Sequence, residues 1–200
     1  MNDGNRGRLI IISGPSGAGK STVVGRLLEE CDLPLTLSVS ATTRQPRPGE
    51  VDGKDYFFMS DEEFQRRRKA GELLECKEVF GLGCWYGTLR DQVATGLAEG
   101  RWVILEIDVQ GALAVLEQKE FDPITVFIHP GGMQELEDRL RSRKTESEEA
   151  IGARLETAAS EMRYKHRYRY EVINGSVDTA VAEICQILKD QKEKHPCSKS

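Results

Sequence analysis

The chain has 200 residues, 38% of them hydrophobic and 30% charged. That is apolar enough for one packed domain and too apolar for a disordered chain. With 28 Lys and Arg against 33 Asp and Glu, the formal net charge is −5, which excludes a general nucleic-acid coat while leaving room for a locally basic pocket. In chain order, Arg8–Ser13 (RLIIIS) is a short β-branched run and reads as a strand. A glycine-rich turn follows, and Lys20–Cys31 has helical spacing, with Val23, Val24, Leu27 and Leu28 on one face. Leu35–Val39 is a second strand candidate. From Ser40 to Lys54 the prolines, glycines and arginines predict a rigid, irregular basic loop.

Tyr56–Met59 reads as a short strand. Ser60 caps a predicted helix that runs to Ala70, with Glu63 placed for a capping box and Gly71 as the stop. Leu73–Phe80 and Cys84–Gly87 read as strands around Gly81–Gly83. A helix to Glu99 follows, then the apolar strand Trp102–Ile107, the helix Gln110–Gln118 and the strand Ile124–Ile128. Met133–Arg143 and Ser147–His166 are amphipathic, Arg/Glu-rich helices. Glu171–Ile173 is a short strand, and Val177–Lys192 a closing helix. Apolar strands alternating with helices predict an α/β fold with a parallel sheet. The interval from Ser40 to about Gly96 breaks that rhythm and reads as an inserted subdomain.

No run of about 20 apolar residues is present to span a membrane, and no apolar signal region follows Met1–Arg8, so a cytoplasmic protein is expected. Cys31, Cys76, Cys84, Cys185 and Cys197 form no CxxC pair and no zinc spacing, and read as reduced thiols. The basic runs Arg66–Lys69 and Lys165–Arg169 sit beside acidic segments and read as solvated helix faces rather than nucleic-acid contacts.

The segment Gly14, Pro15, Ser16, Gly17, Ala18, Gly19, Lys20, Ser21 fits G-x-x-x-x-G-K-[ST], between a predicted strand and a predicted helix. Glycines let the backbone wrap a phosphate with its N–H groups inward, and the helix N-terminus adds partial positive charge. Lys20 is placed to reach the outer phosphates, and Ser21 to offer a hydroxyl to Mg²⁺. A nucleoside triphosphate is the expected ligand. No N-K-x-D guanine loop of a GTPase is present.

GPSGAGKST (14–22), SVSATTRQPRPGEVDGKDY (38–56), WYGT (85–88), LEIDVQG (105–111) and RKTESEEAIGARL (143–155) together resemble the guanylate kinase family. The resemblance covers nearly the whole chain. It implies a P-loop NTPase-type parallel sheet flanked by helices, forming the core at 1–39, 97–130 and 158–200. It also implies an NMP-binding subdomain at 40–96 and a helical lid at 131–157. The implied activity is transfer of the γ-phosphoryl of ATP to GMP with Mg²⁺, with no nucleic-acid or membrane partner. Carried over by motif, the ATP site is residues 14–22, including Thr22, with Asn174 near the adenine.

By the same resemblance Ser40, Arg44, Arg47, Tyr56 and Tyr86 hold the GMP phosphate, a role that two guanidinium forks suit chemically. Glu75, Thr88 and Asp108 fall where the family reads guanine: a carboxylate accepts from N1–H and the exocyclic amine, and a hydroxyl can donate to O6. Lys20, Arg44 and the lid residues Arg139, Arg143 and Arg154 are the implied catalytic cations, while Arg141 reads as an i,i+4 partner of nearby glutamates. Four features depart from the family pattern: Thr88 for Ser, Glu106 for Asp, Lys144 after Arg143, and a longer link over 80–85. The alternatives are a non-catalytic, phosphopeptide-binding relative and a kinase for another nucleoside monophosphate.

Overall fold

A computed structural model of the chain describes residues 7–79, 83–142 and 147–194. Arg143, Lys144 and residues 80–82 of the 80–85 link therefore lie outside the described residues, as does Cys197. The strand β1 (Arg8–Ser13) lies at the centre of a five-stranded sheet, between β7 (Trp102–Glu106) and β8 (Ile124–His129). The edges are β2 (Leu35–Leu37) beside β7 and β9 (Tyr170–Ile173) beside β8, and all pairings are parallel. Ile10 is paired with both Ile104 and Ile124, so the apolar runs lie side by side.

Because successive strand side chains alternate, β1 feeds two cores. Ile10 and Ile12 pack with Val24 and Leu27 of α1 (Lys20–Glu30) and with Ile184 and Leu188 of α7 (Val177–Lys194). Leu9 and Ile11 face the other way, toward Val93 of α3 (Arg90–Ala98) and Val109 of α4 (Val109–Glu117). This covers both faces of the sheet, which is why its strands are continuously hydrophobic.

A separate four-stranded sheet has the order β4 (Phe57–Phe58), β3 (Ser40–Thr42), β6 (Cys84–Leu89), β5 (Leu73–Val79). The sequence reading missed β3, whose Ser-Ala-Thr lacks an apolar run; pairing with β6 makes it a strand. α2 (Asp61–Lys69) crosses this sheet and buries Phe64 among Ala41, Leu73 and Leu89. Its Ser60 cap accepts from the Glu63 amide as expected. The Glu63 carboxylate turns instead to Arg66 and Arg67, so the capping box is only half made. Arg66 also pairs with Glu72, consistent with a solvated helix face. Phe64 is fully buried, and Phe64→Ala is expected to destabilise the protein by about 3–5 kcal/mol. Chemical denaturation followed by fluorescence measures this.

α5 (Met133–Ser142) and α6 (Glu148–Met162) pack as a pair through Leu136, Leu140, Ile151 and Ala158. The helix read as Ser147–His166 ends at Met162 and is followed by a separate 3₁₀ turn at Lys165–Arg167. One reading is corrected by the structure. Cys31 and Cys185, read as reduced thiols, form a disulfide across α1 and α7, with Cα atoms 5.8 Å apart. The two are 154 residues apart in sequence, and only the packing of the first helix on the last brings them together.

Candidate active site

The segment between β1 and α1 is built around left-handed glycines: φ is 144° at Gly14, 90° at Gly17 and 84° at Gly19. A Cβ at Gly14 would lie 1.9 Å from the Ile128 carbonyl oxygen, so no larger residue fits there. Gly19 caps α1 with no side-chain hydrogen bond, which leaves the first-turn amides to an anion. Ser21 and Thr22 stand exposed in that turn.

The Lys20 ammonium donates to the carbonyls of Gly14 (2.8 Å) and Pro15 (3.0 Å), so it lies folded over the loop. Burial pulls its pKa down, while the carboxylates of Glu106, Glu161 and Asp108 pull it up. The Ser21 hydroxyl donates to Glu106 Oε1 at 2.5 Å. Arg154 reaches from α6 to the Ser16 hydroxyl at 2.8 Å. Arg139 of α5 donates to the Asn174 carbonyl at 2.6 Å. Arg141 pairs with Glu137 at the i,i+4 spacing expected of it, and also with Glu148 at the start of α6. Asn174, expected beside the adenine, is 2% exposed, and its side-chain amide donates to the Ala18 carbonyl at 2.8 Å. The contact the structure shows is a brace behind the loop.

The second half of the site lies on one face of the four-stranded sheet. Ser40, Thr88 and Glu75 are aligned across β3, β6 and β5, and Thr42, Tyr86 and Lys77 form the next rank. A cavity of about 230 Å³ opens between this face and the end of β7, lined by Ser40, Tyr56, Glu75, Lys77, Tyr86, Glu106 and Asp108. A larger hollow of about 770 Å³, beside Arg8, Leu97 and Phe121, contains none of the expected residues.

Arg44 is held by the Glu50 carboxylate through two 2.9 Å bonds and donates through Nε to the Tyr86 hydroxyl at 3.0 Å. Its guanidinium stacks over Tyr56, 5.4 Å from the ring centre. The Arg47 amide also donates to Glu50, at 2.7 Å, while its side chain is exposed. Arg44 first, then the Arg47 amide, holds Glu50 below the usual carboxylate range. Burial pushes the Tyr56 hydroxyl up.

At the other end of the cavity, burial pushes Glu75 up to about 7. The Thr88 hydroxyl donates to Glu75 Oε1 at 2.6 Å and opposes that rise, Asp108 adds to it, and Lys77 lowers it. Asp108 caps α4 through the Gly111 amide at 2.8 Å and pairs with Lys77 at 2.6 Å. Glu75 Oε2 lies 2.9 Å from the position a Cβ on Gly111 would take.

Sequence reading missed Glu50, Lys77, Gly111 and Glu161. Lys77 had a signal, since it follows Glu75 by two residues on a strand and so shares its face. Glu50 and Glu161 had none, because their partners come from turn geometry and helix packing. Glu161 is 7% exposed, and one of its oxygens has no hydrogen-bond partner.

The family model for guanylate kinase matches residues 6–191. A guanylate kinase of Rhodopirellula baltica is 68% identical over 194 residues, covering 97% of this chain and 93% of that protein. One from Caldanaerobacter subterraneus is 49% identical over 187 residues, covering 94% and 89%. The crystal structure of guanylate kinase from Anaplasma phagocytophilum superposes with a TM-score of 0.73 at 34% identity, covering 98% of this chain and 89% of that one.

Proposed function

The chain belongs to the guanylate kinase family, the ATP:GMP phosphotransferases, and on that premise we propose which of its residues carry out the transfer. A GMP phosphate oxygen attacks the γ-phosphorus of ATP. A new P–O bond forms, the bond to the β-phosphate oxygen breaks, and ADP and GDP result. Such transfer needs positioning and charge stabilisation rather than a side-chain nucleophile.

The observation that carries the reading is Glu106. It accepts from Ser21 in the phosphate loop and also lines the cavity beside Glu75 and Asp108, so donor and acceptor sites share one wall. The backbone N–H groups of the glycine loop, to which Pro15 contributes none, and the α1 terminus cradle the ATP phosphates, and Lys20 neutralises charge on the transferring group. Asn174 braces the loop from behind. Ser21 and Glu106 offer hard oxygen donors that fit Mg²⁺, which keeps much of its coordination shell as water and phosphate. Held by Ser21 and Glu106, Mg²⁺ would supply charge neutralisation to the donor phosphates.

Arg44, Arg47, Tyr56, Tyr86 and Ser40 take the GMP phosphate, with Glu50 orienting Arg44 beforehand. Glu75 accepts from guanine N1–H and the 2-amino group, with Thr88 aligning it and Asp108 beside it. Residues 40–96 form the acceptor-binding piece and 131–157 the lid. Arg139 and Arg154 of the lid cover charge in the transition state; Arg154 already reaches Ser16. Closure keeps water from intercepting the phosphoryl group. No helix among the described residues is long and apolar enough to cross a membrane.

A coupled assay tests the reading. ADP and GDP should form in equal amounts, dependent on GMP and on Mg²⁺; ADP without GDP contradicts transfer to GMP. Gly111→Ala is expected to raise KM for GMP by about tenfold or more, because the added methyl displaces the Glu75 carboxylate. KM for ATP should stay within about twofold, since no donor group moves.

A further inference from the structure

We propose that His129 is a positioning residue for the transfer, whose buried imidazole latches the hinge from which the lid leaves the sheet. The proposal rests on the reading of 131–157 as the lid and names what sets that lid's direction. β8 ends at His129 and α5 begins at Met133, with Pro130, Gly131 and Gly132 between them. Gly131 and Gly132 are both exposed. Gly131 has φ 106°, where a side chain would be strained. A Cβ at Gly132 would meet nothing within 4 Å, so close packing does not account for the second glycine. Two adjacent glycines give the backbone at this point its widest freedom.

One side chain restrains them. The Gly131 amide donates to His129 Nδ1 at 3.1 Å. A ring nitrogen that accepts carries no hydrogen, so in the neutral imidazole the other nitrogen carries it. His129 Nε2 accordingly donates to Glu171 Oε1 on β9 at 2.9 Å. Lys165 donates to the same oxygen at 2.7 Å and pins it. His129 is 2% exposed and its ring lies against Phe127, so it has no room to swing out.

The latch lies where sheet, phosphate loop and lid meet. The His129 carbonyl accepts from the Asn174 amide at 2.8 Å. The Asn174 side chain holds Ala18 of the loop, and the Asn174 carbonyl takes Arg139 of α5 at 2.6 Å. The first turn of α5 starts on the hinge itself, with the Leu136 amide donating to the Gly132 carbonyl at 3.2 Å. Fixing Gly131 therefore narrows the directions α5 can take and keeps Arg139 beside the loop. That order exists before substrate arrives, which lowers the cost of bringing Arg139 onto the transferring group.

The test uses His129→Asn, His129→Gln and Glu171→Ala. Asparagine puts an acceptor oxygen where Nδ1 stands, while glutamine carries its polar atoms one bond further out, at the place of Nε2. Two quantities are read: kcat at saturating ATP and GMP, and hydrogen exchange of the Gly131 amide by NMR. His129→Gln should lower kcat about tenfold, the scale of a small misplacement. KM for GMP should stay within about twofold, because the acceptor sheet is untouched. The Gly131 amide of this variant should exchange about tenfold faster or more. His129→Asn should keep both quantities near wild type. Glu171→Ala releases the ring at Nε2 and should shift both in the direction of His129→Gln. Its side chain is 40% exposed, so it carries the test should His129→Gln fail to fold. A merely structural role would cost both His129 variants stability and leave kcat of the folded protein alone. Wild-type kcat in folded His129→Gln and Glu171→Ala overturns the proposal, as does slow turnover with the Gly131 amide still protected. Arg139→Met with undiminished kcat overturns the lid reading instead.

Discussion

Lys20→Met should lower kcat by about 1,000-fold while leaving ATP binding within about tenfold. The two quantities separate because different groups carry them. Backbone amides and the α1 terminus hold the donor phosphates whether or not the ammonium is present. The lysine matters most when charge spreads over the transferring group, and losing one preorganised donor of that kind costs about 100- to 1,000-fold. The resting structure bears on the magnitude. Lys20 is buried and bonded to the Gly14 and Pro15 carbonyls, so the methionine also leaves two loop carbonyls without their donor. Lys20→Arg should not rescue, since a planar guanidinium cannot follow the path of a compact ammonium in so tight a loop. Single-turnover kinetics measure the first quantity and ATP titration the second. A variant with kcat near wild type would remove the lysine from the chemistry.

The second large effect is at Glu75. Glu75→Gln replaces one acceptor oxygen by a donor NH₂, which faces the donor edge of guanine. A site built on hydrogen bonds rejects such a mismatch by far more than an apolar pocket rejects a methylene. The expected loss in kcat/KM for GMP is roughly 1,000-fold, with little change in KM for ATP.

The pH profile gives a separate signature. Burial raises Glu75 to about 7 in the free protein, and the base-reading form is the ionised one. The kcat/KM for GMP should therefore fall about tenfold per pH unit below about 7. The acceptor phosphate adds its own ionisation near 6. Glu75→Gln should keep the second limb and lose the first.

Stability moves in the opposite sense. A carboxyl whose folded pKa exceeds its unfolded value stabilises the fold below the unfolded value, near 4.5, and that contribution is lost as pH rises through about 7. Glu75→Gln should accordingly be more stable relative to wild type at pH 8 than at pH 5. Thermal melts at the two values measure it.

Legibility in the sequence followed the physics of each element. β1, β7 and β8 were readable because strands buried on both faces must be apolar throughout. The phosphate loop was readable because backbone geometry dictates its glycines, as at Gly14 and Gly19. β3 was not readable, since Ser40–Thr42 is a strand only by virtue of its pairing with β6.

The individual site residues divide the same way. Arg44 and Tyr86 could be named from their motifs, yet their hydrogen bond joins residues 42 positions apart. Glu50 could not be named, because its role is set by the turn that folds it onto Arg44 and the Arg47 amide. Asn174 could be named from its motif, while the bond from its amide to the Ala18 carbonyl joins residues far apart in the chain and has no signal in the sequence. The Cys31–Cys185 disulfide went unseen because its partners lie at opposite ends of the chain.

Acceptor choice is the most direct test of the central claim. With ATP and Mg²⁺ fixed, kcat/KM is measured for GMP, AMP, UMP and dTMP on the wild-type protein. Hydrogen-bond readout of the base predicts that GMP exceeds each of the others by at least about 1,000-fold. Comparable turnover of AMP or a pyrimidine nucleotide, or phosphopeptide binding with no turnover of any acceptor, contradicts it.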